Sequence, residues 1–190
     1  MKTNNIVFLR GQKVTLRPIE KTDVDKLLVW INDREVTQFL ATNMPITRIQ
    51  EENWVQNLPE RKNDVVLAIE VDRVLIGIMG IHNIDWVNKT ATTGALIGEK
   101  EYWGKGFGTD AKMILLDYAF NTLGLRKICS SVYDFNKRSL RYSLHCGYKI
   151  EGTKKKQRLV KGKYRDEIIL GLFKKDWLPY WREYKKGLKK

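Results

Sequence analysis

The sequence has little cysteine and little histidine, with two of each among its 190 residues. Cys129 and Cys146 show no metal-binding spacing with His82 or His145, and two cysteines do not form a disulfide framework in a chain of this size. We therefore expect no bound metal ion. We expect both cysteines to be reduced and to serve in packing.

Long apolar runs are also absent. The longest, residues 74–81, is far shorter than the ~18 residues that a membrane-spanning helix needs. The first five residues open no secretory signal, and no tract rich in Pro, Gly and Ser divides the chain. With 43% apolar residues, the composition predicts a single domain over residues 1–190, in the cytoplasm and not bound to a membrane.

Positive charge is in excess and is unevenly distributed. The formal net charge is +13, and residues 151–190 hold 14 lysines and arginines against five acidic residues. One interpretation is an anionic partner, such as ligand phosphates, an acidic protein or a nucleic acid. The other, which we favour, is a solvated surface with a frayed basic tail over about residues 178–190.

The most informative segment, residues 102–109, reads Tyr-Trp-Gly-Lys-Gly-Phe-Gly-Thr and precedes an apolar helix. Its alternating glycines allow a ligand to approach the backbone, and the helix directs unpaired N–H groups and its positive dipole end at the same place. A Walker loop would need Ser or Thr where Gly106 stands, and a dinucleotide fingerprint would need an acidic residue near Ile128. The pattern therefore predicts a site for a different ligand that carries a pyrophosphate.

Hydrophobic periodicity predicts a mixed α/β chain. Strands are expected over residues 14–19, 65–69, 74–81, 92–98, 127–132 and 167–173, with another before residue 160. Helices are expected from a capping box of Thr22 and Asp25, after Thr47, over 110–123 and over 137–146. The helix over 110–123 is apolar on most sides, which leaves a narrow polar stripe of Lys112, Asp117 and Asn121.

This order of elements, with the glycine loop followed by Asn136 and by Gly147-Tyr148, resembles the GNAT superfamily of acetyl-CoA-dependent N-acetyltransferases. It is most similar to the branch that contains ribosomal-protein N-terminal and spermidine acetyltransferases. The resemblance implies a central, mostly antiparallel sheet flanked by helices. In that sheet a parallel strand pair, here residues 92–98 and 127–132, splays apart around the acetyl-pantetheine arm of acetyl-CoA.

The resemblance also implies the activity and the cofactor contacts. An acetyl group would pass from acetyl-CoA to a primary amine of a small molecule or a protein N-terminus, by direct attack in a ternary complex. The implied cofactor-binding residues are Leu96 and Ile97 through main-chain atoms, then Trp103, Gly104, Lys105, Gly106, Phe107, Gly108, Thr109, Asn136 and Ser139. Asn136 also suits the N-cap of the helix that follows it.

The proton donor departs from the family pattern. Many relatives place a tyrosine four residues before the glycine of the closing pair, and Ser143 occupies that position here. Serine is a poorer acid than tyrosine, whereas Tyr142 carries the right group but should point about 100° away around the helix. Ser143, Tyr142 or a water molecule therefore remains the candidate that protonates the departing thiolate.

The general base is less well defined. Relatives often carry a glutamate where this sequence has Thr92 and Thr93, so deprotonation through water becomes the default. Asp134, and His82 with Asp85, are the nearest alternatives, although each suits a turn or a cap.

The amine acceptor is not specified by any motif. The positive charge should repel a polycation such as spermidine, which favours an anionic or neutral acceptor, including a ribosome-associated one. A homodimer is compatible with the sequence. Two other functions stay open: a module that binds CoA without activity, and a nucleic-acid-binding protein that rests on charge alone.

Overall fold

The computed structural model describes residues 6–40, 42 and 44–188, which form an eight-stranded mixed sheet. The strands in chain order are β1 (Leu9–Arg10), β2 (Thr15–Pro18), β3 (Val65–Val71), β4 (Val74–Asp85), β5 (Thr90–Ile97), β6 (Lys127–Tyr133), β7 (Lys149–Val160) and β8 (Lys163–Phe173). They lie in the order β1-β2-β3-β4-β5-β6-β8-β7. All neighbours pair antiparallel except β5 and β6, which are parallel. The expected mixed fold is confirmed.

Six α-helices flank this sheet in the described part of the chain. They are α1 (Val24–Asn32), α2 (Arg34–Thr37), α3 (Arg48–Gln56), α4 (Phe107–Asp117), α5 (Lys137–His145) and α6 (Lys174–Leu188). Within the same residues no helix is both long enough and apolar enough to cross a membrane. Residues 1–5, where we expect no secretory signal, lie outside the described residues.

The hairpin of β3 and β4 confirms the expectation from the β-branched runs. Its connection contains Asp72 and Arg73, whose φ angles are 49° and 67°. Two consecutive left-handed residues give the turn geometry that matches the twist of the flanking strands. The helix predicted over residues 110–123 is also confirmed. It consists of α4 over Phe107–Asp117 and a π-helical turn over Tyr118–Thr122.

The capping box expected at Thr22 and Asp25 is displaced by two residues. The box joins Glu20 and Asp23 instead, and the backbone N–H of Glu20 donates to Asp23 Oδ2 at 2.8 Å. Arg17 donates to the same oxygen at 2.7 Å, so the Asp23 carboxylate is held by a buried ion pair. The helical segment therefore has its N-cap at Glu20, because the ion pair with Arg17 holds Asp23 in position to bind the Glu20 N–H.

The expectation of a frayed basic tail over about residues 178–190 is wrong for the residues that the structure describes. This segment belongs to α6, and only residues 189–190 lie outside the described residues. Trp177 is fully buried, and Trp177, Trp181 and Tyr184 stack with ring centroids 5.1 and 5.2 Å apart. Lys175, Lys185 and Lys186 of this helix are exposed, so the aromatic side chains decide that the segment is ordered.

The core has two layers, one on each face of the sheet. The larger layer contains the buried side chains of α4 and α6 packed on β3, β4, β6 and β8, including Leu67, Ile69, Met79, Ile81, Leu115, Phe120, Ile128 and Trp177. The smaller layer packs α1, α2 and α3 on the other face, with Val24, Leu27, Trp30, Val36, Val55, Ala68 and Leu75. Helices on both faces leave the middle of the sheet covered.

The parallel pair of β5 and β6 splays apart, as the resemblance implies. Cα pairing joins residues 90–92 to residues 127–129, although both strands continue beyond these positions. The first residues past the pairing are linked by a side chain, because Ser130 Oγ donates to the carbonyl oxygen of Thr93 at 3.3 Å. A gap therefore opens toward the C-terminal ends of the two strands.

Lys112 is buried beneath this gap and does not lie in an exposed polar stripe, which corrects the expectation for α4. Its side chain is 2% exposed, and Nζ donates to Thr93 Oγ1 at 2.7 Å. The Thr93 hydroxyl also bonds the Tyr148 hydroxyl at 2.9 Å, and Lys112 Nζ lies over the rings of Tyr142 and Tyr148. Burial lowers the pKa of Lys112 to about 8, because the charged form loses its hydration.

We expect Lys112→Met to stabilise the protein at neutral pH. The native pKa of about 8 lies below the ordinary 10.5, so the unfolded chain binds more protons than the folded chain between these values. The free energy of unfolding of the wild type should therefore rise with pH over this window by up to about 3 kcal/mol. Chemical denaturation of both proteins from pH about 7 to about 10 measures the difference, which should shrink as the pH rises. A difference that does not change with pH would contradict the assignment.

Candidate functional site

The glycine loop, residues 103–109, has the backbone geometry that its sequence predicts. Gly104 and Gly106 have φ angles of 74° and 88°, a region that side chains with a Cβ rarely adopt. A Cβ added at Gly104 would meet no atom within 4 Å, and one at Gly106 would meet only Lys13 Nζ at 3.4 Å. The surface of the loop is thus open to a ligand.

Helix α4 begins directly at this loop and has no side-chain cap. Its N-cap is Gly106, and the first backbone bond inside the helix runs from the N–H of Asp110 to the carbonyl of Gly106. Among the described residues, no acceptor pairs with the N–H groups of Phe107, Gly108 and Thr109. Three free donors at the positive end of a helix dipole form an arrangement that binds phosphate groups.

Lys13 adds a positive charge at the glycine loop, and sequence analysis missed it. Its Nζ donates to the carbonyl oxygen of Lys105 at 3.1 Å and lies 5.9 Å from the ring centroid of Phe107. The Asp110 carboxylate holds Lys13 in place by accepting its backbone N–H at 2.7 Å. No local signal could reveal this contact, since the two segments are far apart in the chain.

The ends of β5 and of the loop are joined through Trp103. Its indole Nε1 donates to the carbonyl oxygen of Ile97 at 2.8 Å, which engages this carbonyl with the loop. The carbonyl of Leu96 lies against β4, since a Cβ at Gly77 would collide with it. Main-chain contacts of Leu96 and Ile97 with a ligand in the gap stay predictions.

Helix α5 places Asn136 and Ser139 beside the glycine loop. Asn136 is the N-cap, as predicted, and its Oδ1 accepts the backbone N–H of Ser139 at 3.0 Å. The guanidinium of Arg138 lies over the Trp103 ring at 4.1 Å, which links the first turn of α5 to the loop. The amide group of Asn136 thus keeps its own two N–H donors for another partner.

Ser143 and the hydroxyl group of Tyr142 are both buried, although the rest of the Tyr142 side chain is partly exposed. Ser143 is 2% exposed, and the Tyr142 ring packs against Gly108, where an added Cβ would lie 3.9 Å away. The Tyr142 hydroxyl has no hydrogen-bond partner within the described residues, and burial raises its pKa well above the ordinary value. Cys146 follows on the next turn, fully buried, with its pKa raised to about 12 by burial.

The candidate bases differ in how their side chains are engaged. The Asp85 carboxylate accepts the backbone N–H groups of Val87 and Asn88 at 3.0 and 2.8 Å, so it serves as a turn residue. His82 lies opposite Thr92, and burial lowers its pKa below 6.5, which keeps it neutral near pH 7. Asp134 Oδ1 is buried with no partner among the described residues.

A cavity of about 680 Å³ lies beside the C-terminal end of β6. Its walls come from α1 and α2, from the segment after α2, from Tyr133 and from the end of β7. A row of ring and guanidinium contacts leads from the glycine loop to this cavity through Trp103, Arg138, Phe39, Phe135 and Tyr133. Three separate segments build the cavity, so no single motif could have predicted it.

Other binding chemistry has little support. No group of three or more His, Cys, Asp or Glu side chains in the described part of the chain could hold a metal ion. Cys129 and Cys146 are both free.

The comparisons with known proteins agree with this geometry. The family described as acetyltransferase (GNAT) domain matches residues 13–149. An uncharacterized N-acetyltransferase, p20 of Bacillus licheniformis, is 29% identical over 178 residues, which cover 89% of this chain and 97% of p20. YdaF of Bacillus subtilis (strain 168), a proposed ribosomal N-acetyltransferase, is 28% identical over 175 residues, or 88% of this chain and 94% of YdaF.

A solved structure shows the same fold. Spermidine N-acetyltransferase from Vibrio cholerae, in complex with CoA and spermine, superposes with a TM-score of 0.82 at 22% identity, over 88% of this chain and 99% of that one. The match to the family spans the glycine loop, the splayed strands and α5. The chain is therefore a GNAT acetyltransferase, and its homologues include a proposed ribosomal N-acetyltransferase and spermidine N-acetyltransferases.

Proposed function

We propose that the protein transfers an acetyl group from acetyl-CoA to a primary amine, by direct attack within a ternary complex. The observation that carries the proposal is the uncapped start of α4, where left-handed Gly104 and Gly106 leave three N–H donors free beside the gap between β5 and β6. A pyrophosphate fits the donors, and an extended arm fits the gap. The relatives that are named N-acetyltransferases support the same reaction class.

The bound cofactor would supply an activated acetyl thioester, and the chain would supply its placement. The backbone of residues 103–109 would hold the phosphates, with Lys13 and Lys105 adding positive charge. Ile97 and the amide of Asn136 would fix the arm, with Ser139 on the same side of α5. Placement of the two reacting groups accounts for a large share of the rate in reactions of this kind.

The acceptor amine would enter from the cavity beside Tyr133, on the face of the sheet that carries α1 and α2. The amine must lose a proton before it attacks. Asp134, which follows Tyr133, and neutral His82 are the side-chain candidates, and a water molecule is the alternative. After attack, Ser143 or Tyr142 would return a proton to the departing thiolate.

The wider setting is also proposed. The two free cysteines fit a reducing compartment, which supports the cytoplasm. The names of the relatives suggest a protein N-terminus or a polyamine as acceptor. The single sheet supports one domain. In the described part of the chain β7 pairs with β8 alone, and its free outer edge supports homodimer formation. A ribosome-associated acceptor remains a hypothesis.

Gly106→Val should weaken acetyl-CoA binding by about tenfold or more, because a side chain would cover the free N–H groups. Gly124→Val is the matched control, since Gly124 has a φ of 67° and open space around it. Both variants carry similar backbone strain, so only a loss of affinity specific to Gly106→Val supports the loop as the site. Calorimetry with acetyl-CoA measures it, and equal affinities would exclude the loop.

Asn136→Ala should lower both stability and cofactor affinity. The lost N-cap bond corresponds to about 1 kcal/mol of unfolding free energy. Thr47→Ala removes the N-cap of α3, where the hydroxyl accepts the N–H of Gln50, and should lower stability without lowering affinity. Thermal denaturation and calorimetry report the two effects separately. If both variants bind acetyl-CoA normally, Asn136 acts as a cap alone.

Ser143→Ala should lower turnover by about tenfold to a hundredfold with little change in acetyl-CoA affinity, because the lost interaction forms as the thiolate departs. Tyr142→Phe should leave turnover unchanged and should not destabilise the protein, since its hydroxyl has no partner in the described structure. Thiol release against a panel of amines measures both. The opposite ranking would assign the proton to Tyr142. No thiol release with any amine, despite cofactor binding, would leave a CoA-binding module.

A further inference from the structure

The cavity beside Tyr133 is lined by positive charge. Arg34 of α2, Arg158 of β7 and Lys161 of the turn after β7 all contribute to its wall. No aspartate or glutamate is among its described lining residues. The three cations come from segments that only the fold brings together, so this charge is a local property and does not follow from the net charge alone.

Two of the acidic side chains near the cavity form ion pairs, whereas Asp134 Oδ1, next to Tyr133, has no partner among the described residues. Asp33 and Glu35 flank Arg34 in sequence, and both bind Lys100, Asp33 at 2.9 Å. Lys100 therefore offsets part of the negative charge of these two carboxylates, which could otherwise attract a cationic acceptor. The hydrogen bonds to Glu35 and Asp33 raise the pKa of Lys100, and the bond to Lys100 lowers the pKa of Asp33.

Arg158 is held by one buried acid, whereas the other two cations are unpaired. Glu167 is 6% exposed, accepts the Ser131 hydroxyl at 2.8 Å and lies 3.5 Å from Arg158. Arg34 and Lys161 form no ion pair within the part of the chain that the structure describes. Arg34 and Lys161 thus keep positive charge without an ion-pair partner among the described residues, and Arg158 is oriented by Glu167.

The hairpin that forms one wall strengthens this field. Residues 154–165 contain no acidic residue and seven basic ones: Lys154, Lys155, Lys156, Arg158, Lys161, Lys163 and Arg165. Asp166, the next residue, bonds Lys155 at 2.8 Å, so part of the charge is offset at the far end of the hairpin. A polyamine would meet repulsion at this entrance, and an anion would be attracted.

We propose that the acceptor is a small primary amine that also carries an anionic group, a carboxylate or a phosphate, which Arg34 and Lys161 bind while the amine lies toward Tyr133. This inference rests on the proposed transferase function. A cavity of about 680 Å³ suits a ligand of this size. Arginine binds both anions through paired N–H donors, and Lys161 adds a point charge.

The same cations would assist the reaction. A positive charge near an ammonium group lowers its pKa, so a bound acceptor would lose its proton more readily than in water. This effect would replace part of the work of a general base, because the strand before the glycine loop has Thr92 and Thr93 where related enzymes often have a glutamate. Recognition of the anion and activation of the amine would then have one electrostatic origin.

The test compares amines of similar size with acetyl-CoA and measures kcat/KM by thiol release. The probes are O-phosphoethanolamine and β-alanine as anionic amines, ethanolamine as the neutral reference, and 1,3-diaminopropane as the cationic amine. Two peptides with free N-termini, one with Asp and one with Lys as the second residue, test a protein N-terminus as the acceptor. We expect the anionic members to exceed ethanolamine by about tenfold or more, and the cationic members to be poorest. The comparison of O-phosphoethanolamine with β-alanine shows whether the site prefers a phosphate or a carboxylate.

Charge-neutral variants separate recognition from general effects. Arg34→Gln and Lys161→Gln should each lower kcat/KM for the anionic amines by about fivefold more than for ethanolamine, which lacks the anion and loses only the effect of the cations on the pKa of its amine. Lys62→Gln removes the same charge at an exposed position outside the cavity and should change neither value. Equal or better turnover of ethanolamine or the diamine overturns the inference but keeps the transferase. Acetyl-CoA binding without turnover of any amine overturns both.

Discussion

The position of the glycine loop depends on one buried carboxylate, that of Asp110. It is 4% exposed and accepts the backbone N–H groups of Gln12, Lys13 and Val14 at 3.0, 2.7 and 2.9 Å, together with the Tyr184 hydroxyl at 2.6 Å. A charge at this depth would be costly without such partners. With them, one side chain ties the turn before β2 and the last helix to the first turn of α4.

This arrangement links stability to the site. The turn that Asp110 holds presents Lys13 to the glycine loop, and α6 closes over the same helix through its stacked aromatic rings. Gly11 lies so close to the Asp110 carboxylate that a Cβ would collide with it. The free N–H groups at the start of α4 therefore stand on a rigid base, as a preorganised binding surface requires.

The gap between β5 and β6 is the second constraint, because a sheet that loses strand pairing must satisfy its polar groups by other means. Ser130 supplies one bond across the gap, and the chain of Lys112, Thr93 and Tyr148 fills the space beneath it. Lys112 has no carboxylate partner among the described residues, so its burial opposes folding at neutral pH. The gap between β5 and β6 is thus associated with a buried lysine that lowers the stability of the protein.

Periodicity and turn chemistry determined much of the fold from the sequence alone. The hairpin of β3 and β4, the apolar helix α4, the N-cap Asn136 and the glycine loop all depend on neighbouring residues, so a linear pattern carries them. The type of the site could be predicted for the same reason, since backbone donors at a helix start are a local feature.

Tertiary structure alone decided what depends on distant residues. The burial of Lys112, the placement of Lys13 at the loop and the ordered α6 follow from contacts across the chain. The close approach of the Leu96 carbonyl to Gly77 depends on strand pairing, which a short pattern cannot specify. The basic cavity combines cations from α2, from β7 and from the turn after β7. The sequence could not predict it, because electrostatic fields act through space and not along the sequence.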